Sequence, residues 1–125
     1  MDFIKRPSYL DFLVRSRDKE NIAVLTGLRG SGKTTVLRRY MKWLADAGVP
    51  QNRMLNFDLG QRSLNAVRRP EDLVSQIIRR LSPEGKNSIF LDEAQDCPHF
   101  EKAADSLFLR KDTDLCLSVS GSPSV

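Results

Sequence analysis

A chain of 125 residues, 40% hydrophobic and 29% charged, with seven Gly and six Pro, has the profile of one water-soluble globular domain built on a single core. Two cysteines, Cys97 and Cys116, and the lone His99 are too few for a disulfide framework or a standard four-ligand zinc site, so both thiols are expected to be reduced. No apolar run approaches the ~20 residues that cross a bilayer, and MDFIKRPSYL lacks the apolar stretch of a secretory signal, so the expected compartment is cytoplasmic, with no membrane partner. The net charge of +4 permits a nucleic-acid partner without indicating one.

Signals for helix and strand alternate from end to end, with no internal repeat or low-complexity tract. After Pro7, Ser8 caps a short helix with Asp11 in capping-box register and Tyr9, Leu10, Phe12 and Leu13 on its apolar side, and the charged run Arg15 to Glu20 ends it. Ile22, Ala23, Val24 and Leu25 then form a short apolar run that meets a glycine-rich turn, as a buried parallel strand would. From Lys33 the period becomes helical through Val36, Leu37, Tyr40, Met41 and Leu44, and Gly48 with Pro50 stops the helix. A second strand is expected over Arg53 to Leu59. Pro70, Glu71 and Asp72 open a second helix with Leu73, Val74, Ile77, Ile78 and Leu81 on its apolar side, and Arg79 and Arg80 suit its C-terminal dipole. The turn Ser82 to Lys86 leads to a third strand, Ile89 to Leu91, running into Asp92 and Glu93. Phe100, Ala103, Ala104, Leu107 and Phe108 follow at helical spacing, and Leu115, Cys116, Leu117 and Val119 predict a fourth strand. This alternation implies an α/β fold with a parallel sheet covered by helices on both faces.

Gly27-Leu28-Arg29-Gly30-Ser31-Gly32-Lys33-Thr34 matches the pattern G-x-x-x-x-G-K-[ST], the Walker A motif, at every fixed position, and it lies between the first strand and its helix. Gly27, Gly30 and Gly32 let the backbone curl so that its N–H groups form an anion nest at the positive end of the helix. Lys33 adds a point charge for the β- and γ-phosphates, Thr34 offers a hydroxyl to Mg²⁺, and Thr35 is placed for the α-phosphate. Ile89-Phe90-Leu91-Asp92-Glu93 is an apolar strand ending in two carboxylates, the Walker B arrangement. Asp92 is expected to hold magnesium, which prefers one or two carboxylates plus substrate phosphates, and Glu93 to orient or deprotonate the attacking water. A glutamate directly after that aspartate favours hydrolysis over phosphoryl transfer to a metabolite. Ligands of open α/β sheets bind beyond the C-terminal strand edges, so both motifs point to one site. Ser118, Ser120 and Ser122 approach the same edge on the fourth strand, and Ser120 is the first choice for a γ-phosphate sensor.

The stretches IKRPSYLDFL, VLTGLRGSGKTT, IFLDEAQDCPHFEKAADSLF and SGS together resemble the start of a prokaryotic AAA-type P-loop ATPase, of the group whose ATPase domain is usually followed by a C-terminal domain of unassigned function. Arg6-Pro7, Tyr9-Leu10, Arg29, Leu91-Asp92-Glu93, Gln95, Pro98 and Phe100 occupy the places that carry the likeness. The resemblance implies a P-loop NTPase fold of the additional-strand class, in which the fourth strand lies between the two Walker strands. It implies ATP and Mg²⁺ as ligands, ATP hydrolysis, and Gln95 as a polar residue that contacts nucleotide or a neighbouring subunit. Residues 1–20 would then be an N-terminal helix and lead-in, and 21–125 a nucleotide-binding core cut after its fourth strand. The fifth strand, lid, C-terminal domain and arginine finger of that group would lie outside the chain, the finger coming from missing sequence, self-association or a partner chain.

Two other readings remain open on the residues. Asp92-Glu93-Ala94-Gln95-Asp96 also resembles the second motif of superfamily 1 helicases, but the stretch between Lys33 and Asp92 is short for them, and Tyr40 and Trp43 read as core rather than as a base-stacking surface. The other reading is a nucleotide-binding interaction module without useful turnover.

Overall fold

The computed structural model describes residue 13, residues 22–28, residue 30, and residues 32–60 and 69–121. The predicted N-terminal helix, apart from a buried helical Leu13, lies outside the described residues, as do Arg29, Ser31 and Ser122. Strand β1 spans Ala23–Leu28 and so runs further than its apolar stretch, because Gly27 and Leu28 pair in parallel with Ser120 and Gly121. Helix α1, Lys33–Asp46, starts at a left-handed Gly32. It stops at Gly48, whose φ of +102° suits a residue without a Cβ. A short 3-10 turn leads into β2, Met54–Asp58. Helix α2, Pro70–Arg80, has proline in its first turn beside Glu71 and Asp72, with Arg79 and Arg80 in its last. β3 covers Asn87–Asp92, α3 covers Phe100–Phe108, and β4 covers Thr113–Gly121.

Among the described residues the four strands form one parallel sheet in the order β1-β4-β3-β2, so β4 lies between the strands that carry the glycine loop and the acidic pair. Side chains alternate across a strand, and the two cores follow that alternation. Leu55, Phe57, Ile89, Leu91, Leu115 and Leu117 pack with α2 and α3 on one face. Ala23, Leu25, Phe90 and Cys116 pack with Val36, Leu37, Tyr40 and Leu44 of α1 on the other. Phe90 is fully buried and meets Tyr40 edge-on with ring centroids 5.9 Å apart. Burying a side chain of this size contributes about 1.5–3 kcal/mol.

Three apolar positions face outward where the helical pattern places them inward. Ile78 and Phe108 are each 44% exposed, and Trp43 is 37% exposed while stacked on the buried Tyr40. Each belongs to a helix whose sheet-facing side is already filled by Leu73 and Ile77, by Ala103, Ala104 and Leu107, or by Val36, Leu37, Tyr40 and Leu44. The alternation has a further consequence for function. The polar residues Asp92, Ser118 and Ser120 fall on the face of α1, at the C-terminal strand edge, below that helix's first turn.

Candidate functional site

The glycine loop leaves β1 at Leu28 and enters α1 through Gly30 and Gly32, which hold φ of +84° and +93°, conformations that L side chains rarely adopt. Gly27 contributes differently from the curl expected of it: it is paired with Ser120 in the sheet and fixes where the loop begins. Among the described residues no side chain caps the N-terminus of α1, and its first turn holds no acidic residue, so the first turn itself does not neutralise the positive end of the helix. Lys33 is buried in the first turn, and its Nζ donates to the Leu28 carbonyl at 2.8 Å, holding the ammonium over the loop. Thr34 and Thr35 follow on the same turn.

Asp92 ends β3 with 8% of its surface exposed, and two hydroxyls from separate elements donate to it. The Thr34 Oγ1 donates to Oδ2 at 2.8 Å, and the Ser118 Oγ makes a short hydrogen bond to Oδ1. Ser118 is fully buried, and its oxygen also accepts the backbone N–H of Glu93 at 2.8 Å. One serine on β4 thereby places both acids. Glu93 has left-handed backbone angles, φ 55° and ψ 50°, which turn the chain out of the strand. A non-glycine residue there costs of order 1–3 kcal/mol, and such strain concentrates at functional sites. Its carboxylate is held on both oxygens: Ser120 Oγ donates to Oε1 at 2.9 Å and Gln95 Nε2 to Oε2 at 2.8 Å.

Hydroxyl and carboxylate oxygens at the mouth of the loop form a hard-oxygen donor set, the chemistry that Mg²⁺ selects; it takes few protein ligands and completes its shell with phosphate oxygens and water. Thr34 and Asp92 fit that requirement, and the described residues hold no cluster of three or more His, Cys, Asp or Glu side chains that could cage a metal alone. Beneath the acids, burial first, and then the negative charge of Asp114 and Asp92, pushes the Cys116 thiol far above its ordinary range. It packs in the core between the sheet and α1. Cys97 is likewise free and buried.

The structure therefore brings Lys33, Thr34, Asp92, Glu93, Gln95 and Ser120 to one edge, while Arg29 and Ser31 lie outside the described residues. Three features escape a reading of the sequence. Gln95, expected to contact nucleotide or a neighbouring subunit, makes contacts within the chain that the sequence does not announce, to Glu93 and to the backbone of Ser120. Ser118 is the residue that reaches Asp92, and its signal is the alternation with Ser120 on a strand beside the acidic pair. Asp58, at the tip of β2, lies in register with Asp92, and its Oδ1 accepts the Gly60 N–H at 2.9 Å. A Cβ on Gly60 would stand 3.9 Å from that of Glu93, so the β2 loop passes directly beside the second acid.

Among the described residues no helix is long and apolar enough to cross a membrane. A protein-family profile described as "AAA domain" matches residues 19–125. An uncharacterized protein of Haemophilus influenzae is 27% identical over 119 residues, 94% of this chain and 30% of its own length. An uncharacterized protein of Methanocaldococcus jannaschii is 30% identical over 110 residues, 86% of this chain and 23% of its own length. The chain thus spans less than a third of the length of either of these curated relatives.

Proposed function

The chain belongs to the AAA domain family, a family of nucleotide-binding ATPases, and from that premise we propose that it binds ATP with Mg²⁺ and hydrolyses it. The observation that carries this reading is the continuous polar network from Thr34 through Asp92 and Ser118 to Glu93 and Ser120, which joins the first turn of α1 to the tips of β3 and β4.

In this reading the backbone N–H groups of the loop from Gly27 through Leu28, Arg29, Gly30, Ser31 and Gly32 cradle the phosphates, and Lys33 draws charge from the β- and γ-oxygens. Thr35 reaches the α-phosphate. Thr34 and Asp92 hold Mg²⁺, which supplies neutralisation of the charge that gathers on the leaving phosphate oxygens. Glu93 accepts the proton of the attacking water as that water's oxygen closes on the γ-phosphorus and the bond from that phosphorus to the β–γ bridging oxygen breaks, releasing ADP and phosphate. Ser120 shares an edge with both and senses the γ-phosphate. An arginine delivered by self-association, by a partner chain or by sequence outside residues 1–125 completes the neutralisation, a contribution of about 10³-fold or more in this chemistry.

ATP turnover by the wild type beside Glu93→Gln, with nucleotide affinity measured on both, tests the proposal. A fall of about 10²–10³-fold in kcat at unchanged affinity is expected when a general base is removed. Equal turnover in the two proteins would end the hydrolase reading. Lys33→Ala should lose nucleotide affinity by about 10–100-fold, the worth of one or two charge-assisted hydrogen bonds, and retained affinity would remove the loop from the site.

A further inference from the structure

Gln95 sits two residues beyond Glu93 in the 3-10 turn Ala94–Asp96, a rigid support because Ala94 is fully buried and Asp96 and Cys97 donate their N–H groups back to Glu93 and Ala94. Its carboxamide works at both ends. Nε2 donates to the Glu93 carboxylate at 2.8 Å, with a longer contact of 3.4 Å to Asp96, and Oε1 accepts the Ser120 N–H at 2.9 Å. Ser120 closes the ring by donating its hydroxyl to the other oxygen of Glu93 at 2.9 Å. Only a side chain that is donor and acceptor at once can fill this place. A carboxylate would accept from Ser120 but repel Glu93, and an ammonium would do the reverse. The partners also fix which end of the carboxamide points where, since a carboxylate requires the donor and a backbone N–H the acceptor.

We infer that Gln95 is the positioning residue of Glu93, its carboxamide tying the carboxylate to the backbone of Ser120 so that the base and the tip of β4 move as one piece. The inference rests on the reading of Glu93 as the general base and deepens it. It assigns Gln95 a role in placing that carboxylate, whose misplacement by an ångström can cost about a hundredfold in rate. It also explains why the contact runs to a backbone N–H: the tether then follows the strand itself rather than a side-chain rotamer of Ser120.

The test measures kcat, ATP affinity and the thermal midpoint for the full chain carrying Gln95→Ala, Gln95→Glu, Glu93→Gln, and the double variant Glu93→Gln with Gln95→Ala. Expected are a kcat lowered by about 10–100-fold in both Gln95 variants, with ATP affinity held within about twofold. The double variant should be no slower than Glu93→Gln alone beyond about twofold, because residues acting as a unit are not additive. Gln95→Glu is the sharper arm and stands in if the alanine variant does not fold. It keeps the acceptor for Ser120, so wild-type kcat in it would show that only the strand contact matters and would overturn the inference. Wild-type kcat in Gln95→Ala, or equal losses of kcat, affinity and thermal midpoint, would overturn it as well. Either result alongside a slow Glu93→Gln leaves the base reading intact, whereas a Glu93→Gln protein at the wild-type rate overturns both together.

Discussion

β3 carries a buried polar residue at each end, and the two are satisfied in different ways. At the N-terminal end Asn87 is fully buried, and its partners are backbone: Nδ2 donates to the carbonyls of Ser82, Gly85 and Asp112, and Oδ1 accepts the Ser82 N–H at 2.9 Å. Its own N–H donates to the Asp112 carbonyl at 2.8 Å. At the C-terminal end Asp92 is charged, and the partners of its carboxylate are the hydroxyls of Thr34 and Ser118, donors that can rotate or be replaced. A neutral amide closed by backbone groups locks the α2–β3 turn against the start of β4 and leaves nothing to exchange. A carboxylate served by hydroxyls from two other elements is arranged for a ligand to displace or bridge them. The same strand is a structural knot at one end and a site at the other.

Breaking the lower end should give the largest loss of stability. Asn87→Ala orphans the buried Ser82 N–H and withdraws a donor from three carbonyls, a change expected to cost about 2–4 kcal/mol at ~1–3 kcal/mol per stranded buried group. Denaturant unfolding measures it, and nucleotide affinity of the folded fraction should stay put. A large loss of affinity at preserved stability would erase the contrast between the two ends.

The reciprocal change at the upper end should behave in the opposite sense. Asp92→Asn keeps the shape, and the Thr34 and Ser118 hydroxyls can turn to meet an amide, so unfolding free energy should move by less than about 1 kcal/mol; removing a buried charge even favours the fold. What it removes is the anionic oxygen for magnesium. The tightening of ATP binding that Mg²⁺ produces should fall by about 10–100-fold, or about 1.4–2.7 kcal/mol, read by titration with and without the metal. Unchanged magnesium dependence would detach Asp92 from the metal role.

This contrast also sorts what a linear reading can reach. Strand cores such as Ile89 to Leu91 are legible because burial demands continuous apolar residues. Strand ends are not: Gly27, Asn87, and Thr113 with Asp114 are polar or small, and they are strand only because a neighbour's ladder extends over them. At the site, Lys33, Thr34, Asp92 and Glu93 are legible because a phosphate loop and an acidic strand end have fixed local spacing. The parts played by Ser118 and Gln95 follow from the register of β3 against β4, strands joined through α3; local spacing shows the alternation of Ser118 with Ser120 but not that register.

The smallest expected effect tests whether charge at the lower end matters at all. Arg110 Nε and Nη2 donate to the two carboxylate oxygens of Asp112, both at 3.0 Å, beside the carbonyl that caps Asn87. The side chains remain 38% and 43% exposed, so solvent screens the pair, and such pairs are worth no more than about 1 kcal/mol. The Arg110 hydrogen bond holds the Asp112 carboxyl below the ordinary 3.8. A carboxyl whose folded pKa is depressed stabilises the fold above its unfolded value and loses that contribution as pH falls through the folded one. Arg110→Ala should therefore lower the unfolding midpoint slightly at neutral pH, and the difference from wild type should vanish in acid below 3.8 and shrink in high salt. A difference that persists in acid would mean that Arg110 acts by packing its stem on the turn, and the lower end of β3 would then be held without any help from charge.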